Sequence, residues 1–134
     1  MTLPVILGSC EQRREASLPL IENIEGELAQ RLPPDYRDFL LESDGIEGFL
    51  DEEHYLVLWP VKDLPSLNRG YAVREFAPGL VLLGTDGADV GYGFVERDGR
   101  YEYVAVPLVG LGIDNAVLSG ATLVALLEQI VGTD

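Results

Sequence analysis

His54, the only histidine of the chain, directly follows three acids, Asp51, Glu52 and Glu53. Imidazole beside carboxylates is a metal-ligand set, but neighbours in sequence converge on one ion only where a turn bends them. A transition-metal site also ordinarily adds a second His or a Cys ligand. The pattern reads as a polar loop histidine ahead of a strand, with no metal expected. For nucleophilic catalysis His54 would have to activate Cys10 or a serine, and no G-x-S-x-G or comparable signature supports that. Carboxylate pairs can always be chosen from 23 acids, so their presence discriminates nothing. No catalytic residue is assigned.

A second stretch with chemical possibilities is "LLGTDGADVGYGF", residues 82–94. A phosphate loop needs glycines feeding a helix N-terminus, usually with a lysine, whereas strand-like residues follow here and Lys62 is the only lysine. A calcium loop needs alternating oxygen ligands and a late glutamate on a helix. Asp86 and Asp89 are three apart, and Glu96 falls on or beyond the next strand. The stretch therefore reads as a tight connection: Gly84 ends a strand, Asp86-Gly87 makes a positive-φ turn, and Gly91 and Gly93 let another segment pack close. No cofactor is expected.

One region survives. No cationic side chain lies between Arg37 and Lys62, while Asp38, Glu42, Asp44, Glu47, Asp51, Glu52 and Glu53 all do. "ESDGIEGFLDEEHY" reads as an acidic loop containing Phe49 and Leu50, and apolar anchors ringed by like charge suit an interface for a basic protein. Glu47, Phe49, Asp51, Glu52 and Glu53 are the candidate partner-binding residues. The competing reading has Phe49 tucked into the core and the acids merely solvated.

The surrounding chain must position these residues. Its 134 residues, 47% apolar and 24% charged, fit one globular domain spanning 1–134. Cys10 stands alone, which excludes an internal disulfide and fits a reducing compartment. "LPVILGSC" is too short an apolar run for a lipoprotein signal, with no Lys or Arg before it, and nothing approaches the ~18 apolar residues of a membrane span. A soluble, cytoplasmic protein is expected. Its net charge of −14 repels nucleic acid and anionic membranes and attracts basic partners. Arg13-Arg14 reads as a solvated patch.

After an extended start at Leu3–Leu7, Ser17 is a candidate N-cap for a helix carrying Ile21, Ile24 and Leu28 on one face and Glu22, Glu25 and Glu27 on others. Pro33-Pro34 stops it and starts a second helix, Asp35–Ser43, with Tyr36, Phe39 and Leu40 inward and Gly45 as its stop. Strands follow at Tyr55–Trp59, Leu80–Gly84, Gly91–Val95 and Tyr101–Val106, the last two joined by a hairpin turn at Asp98-Gly99. Leu64–Leu67 and Tyr71–Phe76 form a connection with helical character. Thr122 caps a last helix whose stripe is Leu123, Leu126, Leu127 and Ile130. Helices, a strand meander and a helix make an α+β domain with a mostly antiparallel sheet.

In order and spacing, three blocks resemble the SUKH superfamily, in particular its Smi/Knr-type domains: "IENIEGELAQRLPPDYRDFLLESDGIEGF", "LVLWPVKDLPSLNRGYAVREFAPGLVLLGTDGADVGYGF" and "VAVPLVGLG…GATLVALLEQI". The resemblance covers about residues 20–130 and leaves 1–17 as an N-terminal extension. Thr85 and Ala88 depart from the family's usual "SDGG" corner. The resemblance implies a strongly bent sheet packed against an N-terminal helical pair and a C-terminal helix. It also implies a non-enzymatic, protein-binding role without a known catalytic site. In bacteria such members are thought to be immunity proteins that neutralise toxins, many of them nucleases, of polymorphic or contact-dependent systems. Fungal relatives regulate cell-wall synthesis. The expected partner is thus a basic toxin domain, and the alternative is a housekeeping regulator or scaffold binding another cellular protein or ligand. A monomer or weak homo-oligomer is expected.

Overall fold

In the computed structural model, which describes Leu7 and residues 10–132, Ser17 caps helix α1 (Leu18–Leu28), its Oγ accepting the Leu20 amide at 3.3 Å. Pro19 lies in the first turn, where its missing N–H has no helical partner to lose. Ile21 and Ile24 are buried, and Leu28 packs against the core. Glu25 does not take the expected solvent face. It is buried, accepts the Leu32 amide at 2.7 Å and meets Arg37 Nε at 3.4 Å. A carboxylate is tolerated inside because it satisfies the turn between two helices and has its own counter-charge. The extended start expected at Leu3–Leu7 lies outside the described residues except for Leu7, which is buried and helical.

Helix α2 (Pro34–Glu42) begins one residue earlier than expected and buries Tyr36, Phe39 and Leu40. Asp35 at its start ties three elements together. Its carboxylate accepts the Tyr103 hydroxyl at 2.8 Å and the Leu123 amide at 2.7 Å. Ser43 ends the helix, and Gly45, with φ 91°, turns the chain into the sheet. A Cβ at Gly45 would lie 2.4 Å from the Leu58 carbonyl oxygen, so no other residue fits without displacing backbone.

Among the described residues the sheet is an antiparallel meander of seven strands in sequence order. They are β1 (Glu11–Gln12), β2 (Ile46–Phe49), β3 (Tyr55–Leu58), β4 (Leu80–Thr85), β5 (Val90–Arg97), β6 (Arg100–Pro107) and β7 (Val117–Gly120). The stretch expected as an acidic loop contains β2, which pairs with β3 from Ile46–Leu58 to Phe49–Tyr55. β1 and β7 also close the two sides of a sheet for which only four strands were expected. The register shifts between Leu82 and Gly84 and between Tyr103 and Val104, irregularities of the β-bulge kind.

β3 pairs with β4 at Val57–Thr85 and Leu58–Gly84, the Trp59 amide adds a bond to the Leu83 carbonyl at 3.0 Å, and the strand ends ahead of Pro60. The chain fills the gap with a 3-10 turn (Val61–Asp63) and helices α3 (Leu64–Gly70) and α4 (Val73–Phe76). Asn68 stands in for the missing strand, its Oδ1 accepting the Leu82 amide at 2.8 Å and its Nδ2 donating to the Leu82 carbonyl at 3.0 Å. The last helix, α5 (Leu123–Val131), is capped by Thr122 and buries Leu123, Leu126, Leu127 and Ile130. Leu80–Leu83 of β4 and Gly91–Val95 of β5 are buried throughout, so the central strands are covered on both faces.

Candidate functional site

In an up-and-down meander alternate connections share one end of the sheet. The β2–β3 hairpin tip and the β4–β5 turn are such a pair, and they touch: a Cβ on Gly87 would lie 3.2 Å from Tyr55 Cδ2. That end gathers the acids of both tips.

Glu47 lies in mid-β2, half-buried. Its carboxylate accepts a short hydrogen bond from the Tyr55 hydroxyl and pairs with Arg13 Nη2 at 3.5 Å. The bond to Glu47, which anchors the neutral phenol, is the main reason the Tyr55 pKa is raised. Glu11 of β1 sits directly opposite Glu47 in register, so two acids face each other and Arg13 offsets part of their repulsion. The Arg13 side of the expected basic patch is therefore spent within the acidic surface.

Phe49 ends β2 and is 51% exposed, so it does not tuck into the core. Its ring meets the Tyr55 ring edge-on with centroids 4.9 Å apart. Exposure combined with a fixed neighbour leaves a pre-ordered apolar surface beside the acids.

Asp51 builds the hairpin tip. Its Oδ1 accepts the Glu53 amide at 2.9 Å and the His54 amide at 2.7 Å, and its carboxylate meets His54 Nδ1 at 2.9 Å. These bonds, the Glu53 amide first, hold its carboxyl below the usual range. Glu52 and Glu53 are exposed at the apex. His54 thus orients a turn, and among the described residues no group of three or more His, Cys, Asp or Glu side chains converges as a metal site. Cys10 is buried, its thiol donating to the Phe49 carbonyl at 3.5 Å, and burial raises its pKa. That environment disfavours the thiolate.

The β4–β5 turn adds two acids, Asp86 and Asp89, to this end. Asp86 Oδ1 accepts the Ala88 and Val90 amides at 2.8 and 3.1 Å, Gly87 takes φ 86°, and Asp89 is exposed. The glycine-rich stretch is a turn, as its residues suggested. At Gly93 a Cβ would lie 2.2 Å from the Val81 carbonyl oxygen, which is the close approach expected there. Asp44 leaves the candidate surface for a structural role, its Oδ1 accepting the Val61 amide at 2.7 Å.

The model of the SMI1 / KNR4 family (SUKH-1) matches residues 15–124. The chain belongs to that family. Its α+β meander carries the family's domain over most of its length, and the family includes toxin-immunity proteins among domains that are generally non-catalytic. No curated protein matches the chain. The match begins at residue 15, yet this SUKH domain also uses what precedes it: β1 extends the sheet, and the Arg13 amide donates to the Ser43 hydroxyl at 2.9 Å. Among the described residues no helix is long and apolar enough to cross a membrane.

Proposed function

We propose that this SUKH domain is a non-enzymatic binding module that holds a basic protein against the acidic end of its sheet. The partner is a toxin domain of a polymorphic or contact-dependent system, neutralised in the cytoplasm by an immunity protein. The observation that carries this reading is Phe49, half-exposed and braced by Tyr55 beside Glu47, Asp51, Glu52 and Glu53. An apolar anchor supplies slow dissociation, and the surrounding charge supplies fast, oriented encounter.

The two contributions separate kinetically. With the partner captured from the native host and purified, Asp51→Lys, Glu52→Lys and Glu53→Lys together lower the association rate by roughly 10-fold or more at low salt. Phe49→Ala raises the dissociation rate and leaves association nearly unchanged. Binding that survives both changes removes this end of the sheet from the interface. Capture of a housekeeping protein on the same surface would assign the domain to the regulator or scaffold branch instead.

A further inference from the structure

We propose that Arg13 is a built-in competitor on the partner surface: its guanidinium holds the place on Glu47 that an arginine of the basic partner takes on binding. On the reading that the acidic end of the sheet receives the partner, Arg13 sets the threshold for entry.

Glu47 is the candidate contact that an arginine of this chain already covers. Its Oε2 accepts the Tyr55 hydroxyl, and its Oε1 meets Arg13 Nη2 at 3.5 Å. Glu11, exposed on β1, stands opposite Glu47 in register, so the two carboxylates share one face and a single guanidinium offsets them. Phe49, two residues after Glu47 on β2, lies on that same face, and Tyr55 touches both. An arriving arginine can therefore pair with Glu47 and lay its stem along the exposed Phe49 ring. Its planar fork and stackable head suit that seat better than the point charge of a lysine.

Arg13 can give way without disturbing the fold. The strap that carries it is fixed through its backbone. The Arg13 amide donates to Ser43 Oγ at 2.9 Å, the Asp44 amide to the Arg14 carbonyl at 3.1 Å, and the Ala16 amide to the Leu40 carbonyl at 2.9 Å. Only the side chain has to swing aside. Arg13 and Glu47 are 42% and 45% exposed, and an exposed pair of this kind shifts an equilibrium by about fivefold at most. The guanidinium is held loosely enough to be exchanged, yet every ligand that needs Glu47 must displace it.

Fluorescence anisotropy with a labelled hexa-arginine peptide and the full chain at low salt tests this. Arg13→Ala tightens peptide binding about threefold to fivefold. Arg13→Gln has the same effect and serves if Arg13→Ala does not fold, as judged by circular dichroism. Arg14→Ala removes an equal charge from the next exposed residue, so it controls for the overall field and tightens binding less. In a Glu47→Gln background the extra gain of Arg13→Ala over Arg14→Ala disappears. Equal effects of the two arginine variants overturn the proposal, as does an extra gain that persists without Glu47. Either failure leaves the partner surface standing if Asp51→Lys, Glu52→Lys and Glu53→Lys together still weaken the peptide. If they do not, the surface itself is wrong and no role is left for Arg13.

Discussion

At the scale of single residues, several carboxylates that composition alone counts as surface charge hold the fold together. Glu25 is the clearest, because it answers a turn amide and Arg37 from inside the core. Glu25→Ala leaves that amide and the guanidinium unpaired and should destabilise the protein by roughly 2–4 kcal/mol in urea unfolding, with an unchanged m-value. Helical spacing puts Glu25 at i+4 from Ile21, on the flank of the apolar face, but only the chain reversal at Leu32 brings a donor to it. That event is not local, so no window of sequence displays it. The tyrosines give the matching alkaline prediction. Burial raises Tyr36, Tyr92 and Tyr103 above the ordinary value of 10.0, with Tyr92 pushed up to about 12. A raised folded pKa lends stability that is complete below the unfolded value and is lost as pH rises through the folded one. Stability should therefore fall above about pH 10, and tyrosinate absorbance from these rings should appear together with unfolding.

At the scale of elements, long patterned segments were legible and short ones were not. The two main helices, the last helix and β3 to β6 all show their period or turn residues, down to Asp98-Gly99, both at positive φ. β1, β2 and β7 run two to four residues each. "IEGF" holds a charge and a glycine, and "VLSG" has no alternation, so their strand character comes from the neighbour's open ladder. Missing β2 also hid the hairpin that presents Phe49. The five candidate residues were legible as an acidic run, but their junction with Asp86 and Asp89 depends on which connections share an end of the meander. Glycines test the packing of these elements with opposite signs. Gly93→Ala drives a methyl into the Val81 carbonyl and should cost about 3 kcal/mol. Gly26→Ala, in α1 with nothing within 4 Å of the added carbon, should stabilise by about 0.5–1 kcal/mol. Thermal unfolding of the two variants beside the parent checks both.

At the scale of the whole molecule, charge and apolar surface are distributed unevenly. The tips at one end of the sheet collect Asp51, Glu52, Glu53, Asp86 and Asp89, with Glu47 behind them on β2, while β7 itself carries no charged residue. A net charge of −14 draws a basic protein in from any direction, but only a built surface retains it. The association rate with such a partner should therefore fall steeply as salt rises, and the dissociation rate should change little, which stopped-flow mixing across a salt series resolves. Hydrogen exchange on the complex tests the central claim most directly, because it reports where the partner lies without altering either surface. The account predicts that partner binding slows exchange in residues 47–54 and 86–90. Protection confined to α3 and α4, or to the β7 edge, with both tips exchanging as in the free protein, would contradict it.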